Sequence, residues 1–121
     1  MLIVTKSQLD AISAEFRERF IRTVVGHVRQ HFPDRVAALG DAGLRATIET
    51  GIARAERLGL VAEQDVAGVI HFSFESAIDF DIRPEYAWAM TALARTDLEP
   101  TERVDLLFAE WQPRKPTGGP R

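Results

Sequence analysis

The sequence predicts a single all-α domain of about six helices, with a long first helix and a disordered C-terminal tail. Apolar residues recur every three or four positions, and prolines and glycines stand where these patterns stop. The composition, 45% hydrophobic and 27% charged residues, is that of a globular protein, and 121 residues fit one domain. We expect residues 1–112 to form the helical domain and residues 113–121 a flexible tail.

The first helix is predicted from Ser7 to His31. A Ser-x-x-Asp arrangement at its start offers a capping hydroxyl and an acid near the positive helix end. One apolar stripe follows at helical spacing, formed by Leu9, Ile12, Phe16, Phe20, Val24 and Val28. Pro33 ends this helix, and a short second helix is expected to end at Gly40.

The third and fourth helices are predicted over residues 42–58 and 62–78. Asp41 is expected to cap the third helix, which ends at Gly59. The middle of the fourth, "VIHFSF", also fits a strand, but a four-residue spacing of apolar residues favours a helix. The residues predicted to face inward are Val66, Val69, Ile70, Phe74, Ala77 and Ile78.

The fifth and sixth helices complete the prediction. The fifth runs from Pro84 to about Arg95, is apolar nearly all round, and is expected near the centre of the fold. The sixth starts at Pro100 or Thr101 and ends at Pro113. Its apolar side is formed by Val104, Leu107, Phe108 and Trp111.

Composition excludes several classes of function. The sequence has no cysteine, which excludes disulfides, thiolate nucleophiles and iron–sulfur clusters. Four apolar residues precede Thr5, too few for a signal peptide, and no window approaches the roughly 20 apolar residues of a membrane span. The formal charge of −3 gives no reason to seek phosphate backbones. We therefore expect a soluble, cytoplasmic protein without nucleic-acid or membrane partners and without a cofactor.

Two patterns suggest chemistry, and each has a simpler interpretation. His27 and His31 have the spacing of a zinc-binding pair, but no third ligand lies nearby, so histidines at a helix border are the simpler interpretation. Asp79 and Asp81 could supply paired carboxylates for acid–base catalysis or a cation site, or Asp81 and Glu85 could favour the positive end of the next helix. In the second interpretation the arginine between Asp81 and Glu85 pairs with one of these two acids.

The stretch "DFDIRPEYAWAM", residues 79–90, is the best candidate for a partner-binding site. Tyrosine, tryptophan, methionine and arginine are enriched at interface cores, although a central helix of so small a domain would also be apolar. The predicted partner-binding residues are Asp79, Asp81, Arg83, Tyr86 and Trp88. Whether Tyr86 and Trp88 face their own core or another protein stays open at this point.

Several stretches together resemble a loose group of small helical bacterial proteins encoded beside type VI secretion effectors and their spike or loading proteins. They are "HVRQHFP", "GIARAERLGLVAEQDVAGVIHF", "DFD…PEYAW" and "PTERVDLLF". The resemblance covers nearly the whole chain up to Trp111, and none of its motifs is diagnostic. One departure is Ala62, which stands where the pattern usually has a polar capping residue. The resemblance implies a non-enzymatic accessory that binds a protein partner, and it supplies no catalytic residue.

The sequence thus predicts an adaptor or chaperone-like accessory to a type VI secretion effector. The partner would be the effector or a spike or loading component. A first alternative is an immunity protein whose acidic surface neutralises a toxin. A second alternative is an enzyme with a metal or carboxylate site. That site would be built from His27, His31, His71, Asp79 and Asp81.

Overall fold

A computed structural model describes the backbone of residues 6–116 and the side chains of residues 14–116. Within these residues the chain forms no strand and five α-helices: α1 Lys6–His31, α2 Pro33–Arg57, α3 Glu63–Glu75, α4 Ala87–Leu93 and α5 Pro100–Arg114. Two 3₁₀ turns, Phe80–Ile82 and Pro84–Tyr86, lie between α3 and α4. The predicted all-α fold is confirmed. None of the described helices is long and apolar enough to cross a membrane.

Gly40 lies where the predicted second and third helices meet. These helices run as one element, α2, but Gly40 has φ 71° and ψ 171°, which lies outside the helical region. Glycine adopts a positive φ at little cost because it has no Cβ. The predicted break is therefore present as a kink inside α2, and the helix count falls to five among the described residues. Asp41, the predicted cap, forms an ion pair with Arg29.

The chain divides into two compact units, and the boundary falls inside α2. The first unit extends to Glu49 and includes α1. Its buried apolar side chains are Ile21, Val24, Val28, Leu44 and Ile48. Phe16 is 53% exposed and Phe20 is half-buried, so the predicted stripe is not buried at these two positions. Ser7, Leu9 and Ile12 lie outside the residues whose side chains are described.

The second unit begins at Thr50 with the last turns of α2. Gly59 ends that helix with φ 78°, as predicted, and the N–H of Leu60 donates to the carbonyl of Ala55 at 2.9 Å. After this turn α3 starts at an N-cap, Ala62, whose side chain makes no capping hydrogen bond. The absence of a polar cap follows directly from the alanine at this position.

Small residues let α3 approach its neighbours closely. A Cβ on Gly51 of α2 would lie 2.8 Å from Cγ1 of Ile70, and a Cβ on Gly68 would lie 3.0 Å from Cγ1 of Val104. The helix α3 therefore lies tightly against both α2 and α5. The largest buried side chains of this unit are Ile52, Leu60, Ile70, Phe72, Phe74, Phe80, Leu93, Leu107 and Trp111.

Three predicted helix boundaries, two ends and one start, differ from those of the structure. The helix α3 ends at Glu75 and not at residue 78, because Ser76 leaves the helical region and its hydroxyl donates to the carbonyl of Phe72 at 2.7 Å. The predicted helix from Pro84 to Arg95 begins as a 3₁₀ turn and is α-helical only as α4. The last helix, α5, continues past Pro113 to residue 114, so the predicted tail begins inside a helix. Residues 117–121 of that tail lie outside the described residues.

Candidate functional site

Aromatic side chains of the second unit are arranged around Phe72, which is fully buried on α3. Its ring meets its aromatic neighbours edge to face, with centroid separations of 4.9–6.2 Å and interplanar angles of 82–89°. The positive edge of one ring then lies against the negative face of another, which is the favourable arrangement. We call the set the aromatic cluster: Phe72, Phe80, Tyr86, Trp88, Phe108 and Trp111.

Trp88, a predicted partner-binding residue, belongs to this cluster and is half-buried. Its ring lies nearly parallel to that of Trp111, with centroids 6.1 Å apart and planes 15° apart. The guanidinium carbon of Arg114 lies 4.5 Å from the centroid of the Trp88 ring, in cation–π contact. Trp88 therefore packs on its own core and still exposes part of its indole.

Tyr86 is also half-buried, at the end of the second 3₁₀ turn. Its ring centroid lies 6.1 Å from that of Phe72 and 6.1 Å from that of Trp111. Its hydroxyl makes no hydrogen bond with any residue of the described chain. Tyr86 and Trp88 therefore do not face only the core or only the surface. Each side chain packs against the core on one side and is exposed to solvent on the other.

Asp79 and Arg83 form an ion pair next to these rings. Nε of Arg83 donates to Oδ1 of Asp79 at 2.5 Å, and both side chains are about half exposed, at 47% and 48%. The hydrogen bond from Arg83 lowers the pKa of Asp79, and the same bond raises the pKa of Arg83. A second, looser pair joins Arg83 to Glu85 at 3.8 Å. Arg83 was predicted to pair with Asp81 or Glu85. It makes only the looser pair with Glu85, and its close partner is Asp79.

Asp81 differs from the other predicted residues because it faces a buried arginine. Arg54 of α2 donates to Oδ1 of Asp81 and to the carbonyl of Ile78, both at 3.1 Å. The side chains are 6% and 21% exposed, respectively. The guanidinium carbon of Arg54 also lies 4.7 Å from the centroid of the Phe80 ring. Asp81 therefore attaches the first 3₁₀ turn, Phe80–Ile82, to α2 within the second unit.

Ile82 is the residue at this site that the sequence patterns did not single out. It ends the first 3₁₀ turn and is 76% exposed, although it is a large apolar residue. It was missed because a single isoleucine between the charged residues Asp81 and Arg83 belongs to no periodic apolar pattern. We call the set of exposed and half-buried residues the 79–88 surface: Asp79, Ile82, Arg83, Glu85, Tyr86 and Trp88. Within these ten residues an exposed apolar side chain occurs together with charged and aromatic residues, and aromatic residues and arginine are enriched at protein interfaces.

Glu75 is a structural acceptor in this arrangement. Nε1 of the buried Trp111 donates a hydrogen bond to its carboxylate. Nε2 of His71 lies 3.3 Å from the other carboxylate oxygen, and Nζ of Lys115 lies 3.9 Å from the carboxylate. Glu75 therefore connects α3 to α5 and orients Trp111 below Trp88.

The residues of the hypothetical enzyme site are divided between the two units. His27 and His31 lie on α1 with ring centroids 4.4 Å apart, and His71 lies on α3. Asp79 and Asp81 each bind an arginine. Across the described part of the chain, no three histidine and carboxylate side chains are grouped so that they could hold a metal ion.

The geometry of the 79–88 surface suits binding, since it combines half-buried rings, an exposed isoleucine and oriented charges. No family model, curated protein or solved structure matches the chain. The association with type VI secretion therefore stays a prediction that rests on the resemblance of the sequence.

Proposed function

We propose that the protein is a small, non-enzymatic accessory that binds a protein partner through the 79–88 surface. Ile82 is the observation that carries this proposal: a large apolar side chain, 76% exposed, in the same short segment as the half-buried Tyr86 and Trp88. Apolar and aromatic anchors supply most of the free energy at protein interfaces. Covering Ile82 with a partner would remove its apolar surface from water.

The support beneath the surface makes it suitable for binding. The aromatic cluster holds Tyr86 and Trp88 in place, and Arg54 holds the turn that presents Ile82. Side chains that are already fixed lose little conformational entropy when a partner binds. The exposed charges of Asp79, Arg83 and Glu85 would orient the partner and accelerate its association.

The partner that we propose is a type VI secretion effector or its spike or loading component, with the protein as a cytoplasmic adaptor or chaperone. This part of the proposal rests on the resemblance carried by stretches such as "DFD…PEYAW". The role requires neither a cofactor nor a catalytic group. Its mechanism is surface complementarity, with the aromatic and aliphatic side chains as anchors and the charges as guides.

A matched pair of surface variants tests the proposal. Ile82 and Val61 are both large, apolar and exposed, at 76% and 84%, and both belong to the second unit. Ile82→Glu is expected to weaken binding of the protein encoded by the adjacent gene by about 30-fold or more, as loss of a hot spot does. Val61→Glu adds the same charge elsewhere and should bind like the wild type. Equal effects of the two variants in calorimetric titrations would overturn the proposal.

An immunity protein is the second candidate, and the exposed carboxylates favour it. Glu85 is 61% exposed and the chain carries a net charge of −3, which suits a basic toxin. Co-expression of the adjacent gene separates the two roles. Rescue of bacterial growth supports immunity, whereas better effector solubility or secretion without rescue supports the adaptor.

A further inference from the structure

The first unit contains an open groove of about 370 Å³ along α1 and α2. Its apolar side chains are Ile21, Val25 and Leu44, of which Ile21 and Leu44 are almost fully buried. The volume lies within the usual range of small-ligand sites, about 300–1,000 Å³. The groove is therefore large enough for a compact apolar group.

Gly26 keeps this groove open. It lies in the middle of α1, where glycine is a poor helix former, and it lines the groove. A Cβ built on Gly26 would meet no described atom within 4 Å, so the space beside the backbone is empty of the described chain. A larger side chain at this position would project into the space instead.

Arginines line the edges of the groove. Arg22 and Arg29 flank Gly26 on α1, and Arg45 lies opposite on α2. Arg45 is held by Glu18 and by Glu49, and Arg29 donates one hydrogen bond to Asp41 at 3.1 Å. Among the described residues, Arg22 donates no hydrogen bond. Within this part of the chain its guanidinium interacts with Glu18 by charge alone, so no donor of Arg22 is committed to a described acceptor.

The ion pair between Arg29 and Asp41 lines the groove, and a ligand could readily compete with it. Asp41 is 96% exposed and Arg29 is 53% exposed. Pairs with this exposure are weak in water because solvent competes for both charges. Arg29 could keep one hydrogen bond to Asp41 and direct its other donors to a second anion, since a guanidinium has five N–H groups.

We propose that this groove binds an organic carboxylate with a compact apolar body. The apolar body lies against the half-buried Val25 beside Gly26, above the nearly buried Ile21 and Leu44. The carboxylate accepts hydrogen bonds from Arg22 and Arg29. A planar guanidinium matches a carboxylate with two parallel hydrogen bonds, which is why arginine is preferred for this role. The groove shares no residue with the 79–88 surface, and this proposal does not depend on the function proposed for that surface.

A pair of isosteric probes tests the ligand class. The acid 3-phenylpropionate carries the phenyl body and the carboxylate, whereas 3-phenylpropanamide carries the same body without the charge. Titration of each into the full-length protein, followed at the Gly26 amide by NMR, is expected to give a dissociation constant of about 1 mM for the acid, as suits so small a ligand. The amide should bind about tenfold or more weakly. Equal affinities, or no shift at Gly26 with either probe, would overturn the proposal.

Matched variants test the assigned residues. Arg22→Gln is expected to remove the preference for the acid over the amide, whereas Arg35→Gln, a charge removal on α2 outside the groove lining, should keep it. Gly26→Leu fills the space and should abolish binding of both probes while the circular dichroism spectrum stays helical. An unchanged acid affinity in Arg22→Gln or in a folded Gly26→Leu would contradict the assignment.

The carboxylate could belong to a free metabolite or to the C-terminus of a polypeptide. A third titration distinguishes these sources with the acetylated tripeptide Ala-Ala-Phe, which presents a phenyl group beside a terminal carboxylate. Tighter binding of the tripeptide than of 3-phenylpropionate assigns the site to polypeptide ends. Tighter binding of the free acid assigns it to small acids, and both results require the groove.

Discussion

Trp88 lies nearly parallel to Trp111, at a centroid separation of 6.1 Å and an interplanar angle of 15°, and both rings contact Phe72 edge to face. This relationship connects the half-buried ring of the candidate binding surface to the fully packed core. A change at Trp88 should therefore affect stability and binding together, and the two effects have to be separated.

Trp88→Ala should lower the free energy of unfolding by about 2 kcal/mol, less than the 3–5 kcal/mol typical of a fully buried aromatic residue. Trp88→Phe keeps a ring against Phe72 and should lose about 1 kcal/mol or less. Urea denaturation followed by far-ultraviolet circular dichroism measures both. Loss of partner binding in Trp88→Phe at unchanged stability would identify the indole as an anchor. Collapse of the helical signal in Trp88→Phe would show a role in the core alone.

Glu75→Ala should destabilise the protein by about 1–3 kcal/mol, because Nε1 of the buried Trp111 would lose its acceptor. Glu75→Gln is the matched variant, since its amide oxygen still accepts that hydrogen bond. We expect Glu75→Gln to remain within about 1 kcal/mol of the wild type. Urea midpoints at neutral pH compare the two, and equal losses would show that the negative charge matters more than the hydrogen bond.

Local signals in the sequence could predict most helices of the fold. Gly59 ends α2 and Pro100 begins α5 because the conformational limits of these residues act on their immediate neighbours. The end of α3 was harder to predict from the sequence. It depends on Ser76, whose hydroxyl competes for a backbone carbonyl of the preceding turn, and an apolar pattern continuing to residue 78 concealed it.

The arrangement of the candidate site depends on contacts that are distant in sequence. Phe72 was absent from the predicted inward face of its helix because three consecutive residues, 72–74, are buried, and such a helix has no single apolar stripe. Arg54 lies 27 residues before Asp81, so no local pattern could pair them. Ile82 was predicted neither as core nor as surface, and its exposure depends on the 3₁₀ turn that ends there.

Arg54→Met should destabilise the second unit by about 2–4 kcal/mol, because it leaves Asp81 and the carbonyl of Ile78 without their buried donor. Adding Asp81→Asn to this variant should recover part of the loss, since the uncompensated charge is removed. A double-mutant cycle by chemical denaturation measures the coupling, which we expect at about 1–3 kcal/mol. Strictly additive effects would contradict the pairing.

Gly51→Ala should destabilise the protein by about 1–3 kcal/mol, although alanine is the better helix former. The new methyl group would lie 2.8 Å from Cγ1 of Ile70, a side chain that is itself buried and has little room to move. Gly26→Ala is the matched control, because no described atom lies within 4 Å of its Cβ position. That variant should gain up to about 1 kcal/mol. Thermal denaturation of both proteins tests the opposite signs.

Asp97 should titrate at an unusually acidic pH. Two hydrogen bonds of 2.8 Å from Arg95 lower the pKa of Asp97 from 3.8 to about 2. A folded-state pKa below the unfolded value stabilises the fold above about pH 4, and this contribution is lost as the pH falls toward 2. Arg95→Gln should raise the pKa of Asp97 toward 3.8, as carboxyl carbon NMR shifts would record. Asp105→Asn removes an exposed acid elsewhere and should leave that titration unchanged. A wild-type Asp97 that titrates near 4 would contradict the pairing with Arg95.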